Sequence, residues 1–152
     1  MVDLMKIKFK LRKKKKKKRK KIFDEEVSKK ILPILRKIVA TKDGTANLAN
    51  VAGYEIGGKT GTANKNFQGE YINKKINTFV SIFPTSKPRF ILAVMLDEPQ
   101  INKDYIYEYR DGSNFKLKGS PRNTSGWNSV EVAGHIVEKI GPILATKYSE
   151  VN

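Results

Sequence analysis

Apolar residues recur at helical spacing near the start of the chain, and acidic residues at 24–26 precede them. The series is Val27, Ile31, Leu32, Ile34, Leu35, Ile38 and Val39. Residues three and four apart share one face of a helix, and acids favour its N-terminus. The pattern predicts an amphipathic helix that Pro33 bends or delays and that Asp43 and Gly44 stop.

The middle of the chain has the composition of β-strands. A loop at 44–57 is expected to lead into a short strand, followed by a turn at Asn64 to Gly69. Segments 71–84 and 89–99 are rich in β-branched and aromatic residues and are bounded by prolines. Their links are too short to hold a crossover helix, so we expect a three-stranded antiparallel meander.

Residues 100–127 are polar and aromatic without a sustained period. We interpret them as a long loop with room for a small hairpin. Tyr105, Tyr107 and Tyr109 alternate, which suits one face of a strand better than a platform for stacking nucleic acid bases.

A second helical pattern closes the chain, with its first turn expected near residues 128–131. Its apolar positions are Val130, Ala133, Ile136, Val137, Ile140 and Ile143. Trp127 is expected to anchor this helix against the sheet. His135 is interpreted as a packed or half-exposed helix residue, not as an acid or base. The order of helix, three strands and helix predicts an α+β fold.

Charge divides the chain into two parts. Residues 1–22 carry 13 of the 31 basic residues and one acid, Asp3, so most of the net charge of +16 lies there. A block of like charge repels itself, so residues 1–22 are predicted to be a disordered basic tail and residues 23–152 one folded unit. The tail could bind nucleic acid or an anionic membrane.

Composition excludes several kinds of site. The sequence has no cysteine and one histidine, so disulfides, thiolate metal sites and multi-histidine metal sites are impossible. Nothing in the sequence indicates a metal or another cofactor. No apolar run is long enough to span a bilayer or to complete a secretory signal, so this sequence alone predicts a cytoplasmic product.

The stretch GYEIGGKTGTA, residues 53–63, satisfies two incompatible motifs. With Gly53 as its first glycine and Gly58, Lys59 and Thr60 at its end, it fits a phosphate loop. A phosphate loop requires a helix that starts near Lys59, and the residues that follow have neither helical period nor strong helix formers. Residues 90–98 mimic the strand that ends in a magnesium-binding acid, but no crossover helix precedes them. Nucleotide binding is therefore the less favoured alternative.

Lys59, Thr60 and Gly61 also form the Lys-Thr-Gly motif of penicillin-binding proteins and serine β-lactamases. That motif requires an extended edge strand, where the main chain can pair with a peptide-like substrate. Gly61 would let the substrate backbone approach closely.

Three blocks of sequence carry a resemblance to one family. "DGTANLANVAGYEIGGKTGTANK", "INTFVSIFPTSKPRFILAVMLDEP" and "TSGWNSVEVAGHIVEKIGPIL" occur in this order and cover most of the chain after residue 22. They resemble the C-terminal part of the transpeptidase domain of class B penicillin-binding proteins, especially the division-specific type. The resemblance implies part of a β-lactamase-like transpeptidase domain, with stem peptides and β-lactams as ligands and the periplasmic face of the inner membrane as location.

The resemblance also assigns roles to four residues. It implies that Lys59 assists proton transfer and that the Thr60 hydroxyl holds the carboxylate of a substrate or β-lactam. Gly61 keeps the strand surface open. The backbone amide of Thr62 would supply one oxyanion-hole donor, a contribution of about 3 kcal/mol.

The sequence departs from the family in its nucleophile. Ser113 and Lys116 have the spacing of the family's Ser-x-x-Lys motif, but they follow Lys-Thr-Gly and lie in a predicted loop, so we interpret them as a coincidence. The sequence contains no Ser-x-Asn triplet. We therefore expect a peptidoglycan D,D-transpeptidase fragment that is inactive alone, with exposed apolar surface where the missing N-terminal part of the domain would bind. A binding protein acting through the basic tail is the alternative from another class.

Overall fold

The computed structural model describes residues 21–119 and 122–149, so the predicted basic tail lies almost entirely outside the described residues. Two long helices flank a sheet and a hairpin in the order that the sequence predicts. The elements are α1 (Glu25–Ala40), β1 (Gly57–Phe67), β2 (Glu70–Phe83), β3 (Phe90–Asp97), β4 (Ile106–Glu108), β5 (Lys116–Lys118) and α2 (Ser129–Ser149), with short 3-10 helices at Asn47–Ala49 and Ser125–Trp127.

The main sheet has three antiparallel strands in the order β1-β2-β3, so the predicted meander is confirmed and β1 lies at an edge. The predicted turn at Asn64 to Gly69 is wrong at its start, because β1 continues to Phe67 with a register shift between Asn64 and Asn66. The chain reverses only at Gln68 and Gly69, both of which have positive φ. Polar side chains at 64–66 signalled a turn, but the bulge accommodates them within the strand.

The core lies where α2 and the 3-10 helix at Asn47–Ala49 pack on the sheet face that bears Phe79 and Phe83. The helix α1 packs against β1, and Gly57 lies so close to it that a Cβ there would be 3.0 Å from the Arg36 nitrogen. The buried apolar residues are Val39, Ala46, Leu48, Ala49, Val51, Ile56, Phe79, Phe83, Val94, Tyr107, Val130, Ala133 and Val137.

The helix α1 is confirmed with Pro33 inside it, but its apolar series is buried only at the C-terminal end. Val27, Ile31 and Ile34 are 49%, 46% and 55% exposed. Among the described residues, no element covers this part of the helix. The expected exposed apolar surface is therefore present.

The region 100–127 contains the small hairpin that the sequence allows, formed by β4 and β5. Tyr107 is buried and makes edge-to-face contacts with Tyr105 and Trp127, with ring centroids 4.8 Å and 5.2 Å apart. Trp127, which lies just before α2, therefore packs its ring against Tyr107 of the hairpin. The alternating tyrosines form part of a packed hairpin face, as predicted.

Candidate functional site

The strand β1 carries all four predicted site residues, Lys59, Thr60, Gly61 and Thr62. Because side chains alternate along a strand, Lys59 and Gly61 share one face, and Thr60 and Thr62 share the other. A strand, not a helix, begins at Gly57 and runs through Lys59, which excludes the geometry of a phosphate loop.

Two long polar side chains fix the ends of this strand. Before its start, Arg36 of α1 donates hydrogen bonds to the Ile56 carbonyl oxygen at 2.8 Å and to Asn50 Oδ1 at 3.0 Å. Burial lowers the pKa of Arg36, and the charge of Glu55 partly opposes that effect. Near the other end, Lys65 Nζ lies 2.8 Å from Glu98 Oε1 and 2.9 Å from Asp97 Oδ1, and these hydrogen bonds raise the pKa of Lys65.

The segment before α2 contacts the middle of the strand. The Ser125 backbone N–H donates to Thr62 Oγ1 at 3.0 Å, and the Ser125 hydroxyl donates to the Thr78 carbonyl oxygen at 2.5 Å. Gly61 pairs with Thr78 across the sheet, and a Cβ at Gly61 would lie 2.6 Å from Thr78 Oγ1. Contacts with α1, with β3 and with the segment before α2 therefore hold the strand, while its outer edge faces away from β2.

Lys59 and Thr60 are accessible at this edge. Lys59 is exposed, and its Nζ donates to the Thr60 carbonyl oxygen at 2.8 Å. The Thr60 hydroxyl lies 3.4 Å from the Thr45 hydroxyl, which is a weak contact. A cavity of about 170 Å³ lies beside Thr45 and is also lined by Trp127. An exposed ammonium and a weakly partnered hydroxyl thus belong to consecutive residues of the edge strand and lie on its opposite faces.

The Ser-x-x-Lys spacing at 113–116 lies on the β4–β5 hairpin, away from any helix start. The hydroxyl of Ser113 accepts a hydrogen bond from the Phe115 backbone, and Lys116 forms an ion pair with Glu108. Both side chains therefore have local structural partners, in agreement with the interpretation of this spacing as a coincidence.

Sequence reasoning missed a buried polar cluster beside α2. Arg110 forms a bidentate ion pair with Glu131, both bonds at 2.9 Å, and their side chains are 4% and 5% exposed. Tyr105 and His135 complete the cluster: the Tyr105 hydroxyl donates to Glu131, and His135 Nε2 lies 3.1 Å from Glu131 Oε1. The spacing of Glu131 and His135 on one helix face was the available signal.

Tyr105, Glu131 and His135 of this cluster line a cavity of about 210 Å³ that Trp127 and Asn123 also border. Burial, with the charge of Glu131 and the hydrogen bond that Tyr105 donates to it, raises the pKa of Tyr105 to about 12. His135 is half-exposed, as predicted, but it lies in a polar network that its apolar sequence neighbours did not indicate.

Within residues 21–119 and 122–149, no group of three or more His, Cys, Asp or Glu side chains is arranged to hold a metal ion. None of the helices in that part of the chain is long and apolar enough to cross a membrane.

The sequence model of the penicillin-binding protein transpeptidase domain matches residues 2–114. Among solved structures, the chain resembles the apo transpeptidase domain of Burkholderia pseudomallei penicillin-binding protein 3, with a TM-score of 0.52 and 29% identity. That match covers 74% of this chain and 29% of the solved one.

Curated relatives point the same way. A peptidoglycan D,D-transpeptidase FtsI homolog of Chlorokybus atmophyticus is 42% identical over 83 residues, which is 53% of this chain and 12% of the relative. The probable peptidoglycan D,D-transpeptidase FtsI of Caulobacter vibrioides is 29% identical over 135 residues, 84% of this chain and 20% of the relative. The chain thus spans a fifth or less of either relative. These similarities give no support to nucleic acid or membrane binding through the basic tail.

Proposed function

Because the chain belongs to the penicillin-binding protein transpeptidase family, we propose that it forms one wall of a peptidoglycan D,D-transpeptidase cleft. The ligands of this wall are the D-alanyl-D-alanine end of a stem peptide and the β-lactams that imitate it. Lys59, Thr60, Gly61 and Thr62 form the binding edge.

The observation that carries this proposal is a Lys-Thr-Gly-Thr sequence on an open sheet edge. The outer main-chain groups of an edge strand can pair with an extended peptide. The exposed Lys59 ammonium attracts a carboxylate, and the Thr60 hydroxyl has only a weak partner at 3.4 Å. A peptide that ends in a carboxylate fits this combination of main-chain, hydroxyl and cationic groups.

The proposed chemistry is acyl transfer. A serine nucleophile attacks the D-alanyl-D-alanine amide, D-alanine leaves, and the acyl group passes to an amine of a neighbouring strand. Lys59 assists proton transfer at this site, and the Thr62 amide stabilises the oxyanion by about 3 kcal/mol. A nucleophile needs an adjacent base, and Ser113 has none in position, so we propose that another polypeptide segment supplies the serine.

The same segment would cover the exposed apolar surface. Besides the α1 residues, Ile91 and Met95 of β3 are 76% and 70% exposed, and β3 forms the second edge of the sheet. Apolar side chains beside an open strand edge favour a packed partner. We propose that the remainder of a transpeptidase domain binds there, and that the assembled protein acts in the periplasm during division.

Titration of the ¹⁵N-labelled chain with a peptide ending in D-Ala-D-Ala, followed by NMR, tests the proposal. We expect shift changes confined to residues 57–63 and their neighbours, with weak affinity because half of the cleft is absent. Lys59→Ala should weaken binding about tenfold or more. Lys87→Ala removes the same charge from an exposed position in the loop between β2 and β3 and is the matched control.

If both variants bind the peptide equally weakly, Lys59 contributes only through the net charge of the protein and not through a specific contact. Shift changes elsewhere, or none at millimolar peptide, would contradict the proposed function. We expect fluorescent penicillin to leave no stoichiometric covalent adduct on this chain, and such an adduct would reveal a nucleophile that the structure does not show.

A further inference from the structure

Two partly buried hydrogen bonds join the segment before α2 to the strands β1 and β2, and a buried third bond joins that segment to the start of α2. Ser125 is 1% exposed and Ser129 is 0% exposed. Ser125 contacts Thr62 through its backbone N–H at 3.0 Å and Thr78 through its hydroxyl at 2.5 Å. The Ser129 hydroxyl lies 2.6 Å from the Ser125 hydroxyl. The segment before α2 is thereby fixed to both strands at one point.

The protons of this network can be assigned. A hydroxyl has one proton to donate and two lone pairs to accept. Since the Ser125 proton goes to the Thr78 carbonyl oxygen, the 2.6 Å contact requires the Ser129 hydroxyl to donate to Ser125 Oγ, with the Ser125 carbonyl oxygen as a more distant acceptor at 3.3 Å. Thr62 Oγ1 accepts from a main-chain N–H, so its own proton is free to point away from Ser125. The contact therefore restrains the Thr62 side-chain rotamer and leaves its hydroxyl proton available to another acceptor.

We propose that Ser125 is a positioning residue for the Lys-Thr-Gly-Thr edge, an inference that rests on the proposed function of that edge. An edge strand has a neighbour on one side only, so its register and twist are weakly held. Ser125 holds β1 through Thr62 and β2 through Thr78, the residue that pairs with Gly61. Without this clamp, the Thr62 amide and the groups beside it would sample positions outside productive geometry, where a displacement of about 1 Å is costly.

Ser125→Ala removes the bond to Thr78 and keeps the main-chain N–H that bonds Thr62, so it tests whether fixing this segment to β2 is needed to hold β1. Ser81→Ala is its matched control. Ser81 is also a buried serine, 2% exposed, and its hydroxyl donates to the Leu92 carbonyl oxygen at 3.2 Å on the β3 side of β2. Both variants lose one buried hydroxyl that donates to a main-chain oxygen. We therefore expect similar losses in global stability but different local effects.

Amide hydrogen exchange measured by NMR separates the two effects. Loss of the clamp should speed exchange of the protected amides among residues 60–63 about fivefold in Ser125→Ala relative to Ser81→Ala. Equal rates in the two variants would show that Ser125 only packs, and would overturn the proposal. If Ser125→Ala does not fold, Thr62→Val and Thr62→Ser decide. The valine variant loses the acceptor and should exchange faster, the serine variant should not, and the reverse or no difference would overturn the clamp.

Peptide titration of the same variants keeps the two proposals distinguishable. If the wild-type chain binds the D-Ala-D-Ala peptide, Ser125→Ala should bind it several-fold more weakly and Ser81→Ala equally well. Equal binding by both variants would contradict a positioning role. If the wild-type chain does not bind, the proposed function fails, and the exchange experiment still decides whether Ser125 clamps the strand.

Discussion

Replacing Glu131 with glutamine removes the charge from the most deeply buried ion pair among the described residues. Arg110 Nη1 donates to Glu131 Oε2 and Arg110 Nη2 to Glu131 Oε1, each at 2.9 Å. Arg110 also donates to the carbonyl oxygens of Leu48 and Glu108, so it joins three parts of the chain. Glutamine keeps the shape of the side chain, so the experiment isolates the charge and one acceptor.

The expected loss is large because the arginine stays buried. Removing one partner of a buried pair costs about 3–5 kcal/mol, since the other charge is left uncompensated. Burial opposes the charge of Arg110, but hydrogen bonds and charges from Glu131 and Glu138 outweigh it and raise its pKa. Glu138, whose side chain is 53% exposed, can compensate only weakly. Against a total stability of about 5–15 kcal/mol, the loss would remove a large fraction of the folded population.

Urea unfolding followed by far-ultraviolet circular dichroism measures this loss. Glu138→Gln is the control, because it removes an exposed partner of the same arginine and should cost less than about 1 kcal/mol. If Glu131→Gln is unfolded without urea, both variants can be compared in trimethylamine oxide, which stabilises compact states. A stability cost for Glu131→Gln no larger than for Glu138→Gln would show that the buried Arg110 charge does not depend on Glu131.

Three further predictions concern the sheet and the polar cluster. Gly58→Ala should destabilise the fold by about 1–3 kcal/mol in thermal unfolding, because its Cβ would lie 2.7 Å from a buried ring and from a backbone oxygen. Gly61→Ala should cost less, because its Cβ would meet only a hydroxyl that can rotate. The pKa of Tyr105 is raised from 10.0 to about 12, so the stability it contributes is complete below pH 10 and is lost as the pH rises towards 12. Absorbance at 295 nm should show an ionisation step near pH 12 that is smaller by one tyrosine in Tyr105→Phe. Ile91→Thr and Met95→Thr should reduce concentration-dependent self-association in sedimentation experiments, and unchanged association would mean that the exposed face of β3 does not cause it.

The sequence predicted the elements whose signals are local. The helices α1 and α2 have apolar residues at helical spacing, and the strands β2 and β3 are rich in β-branched and aromatic residues and are bounded by prolines. Both kinds of signal depend on the local sequence alone. The edge position of Lys59 was also predictable, because short links allow only a meander and Lys-Thr-Gly requires an open strand. The burial of α1 was predicted less well, since an apolar series shows which face could be covered and not whether a partner is present.

The polar contacts around the site could not be predicted in the same way. Arg110 and Glu131 are 21 residues apart, and Ser125 and Thr62 are 63 residues apart. Arginine and glutamate are usually exposed, so their types alone indicate a surface. Only the tertiary fold, which brings the hairpin against α2 and the segment before α2 against β1, makes these groups partners.

Packing explains why one stretch of sequence fits two motifs. A phosphate loop needs glycines so that its amides can converge on an anion. Here Gly57 is required because a Cβ would lie 3.0 Å from the Arg36 backbone nitrogen, and Gly58 because a Cβ would lie 2.7 Å from the Phe79 ring. Both glycines let a strand approach a helix and a buried aromatic side chain. The lysine after them then emerges on an open edge instead of at a helix N-terminus, and its position relative to the sheet decides which ligand it can bind.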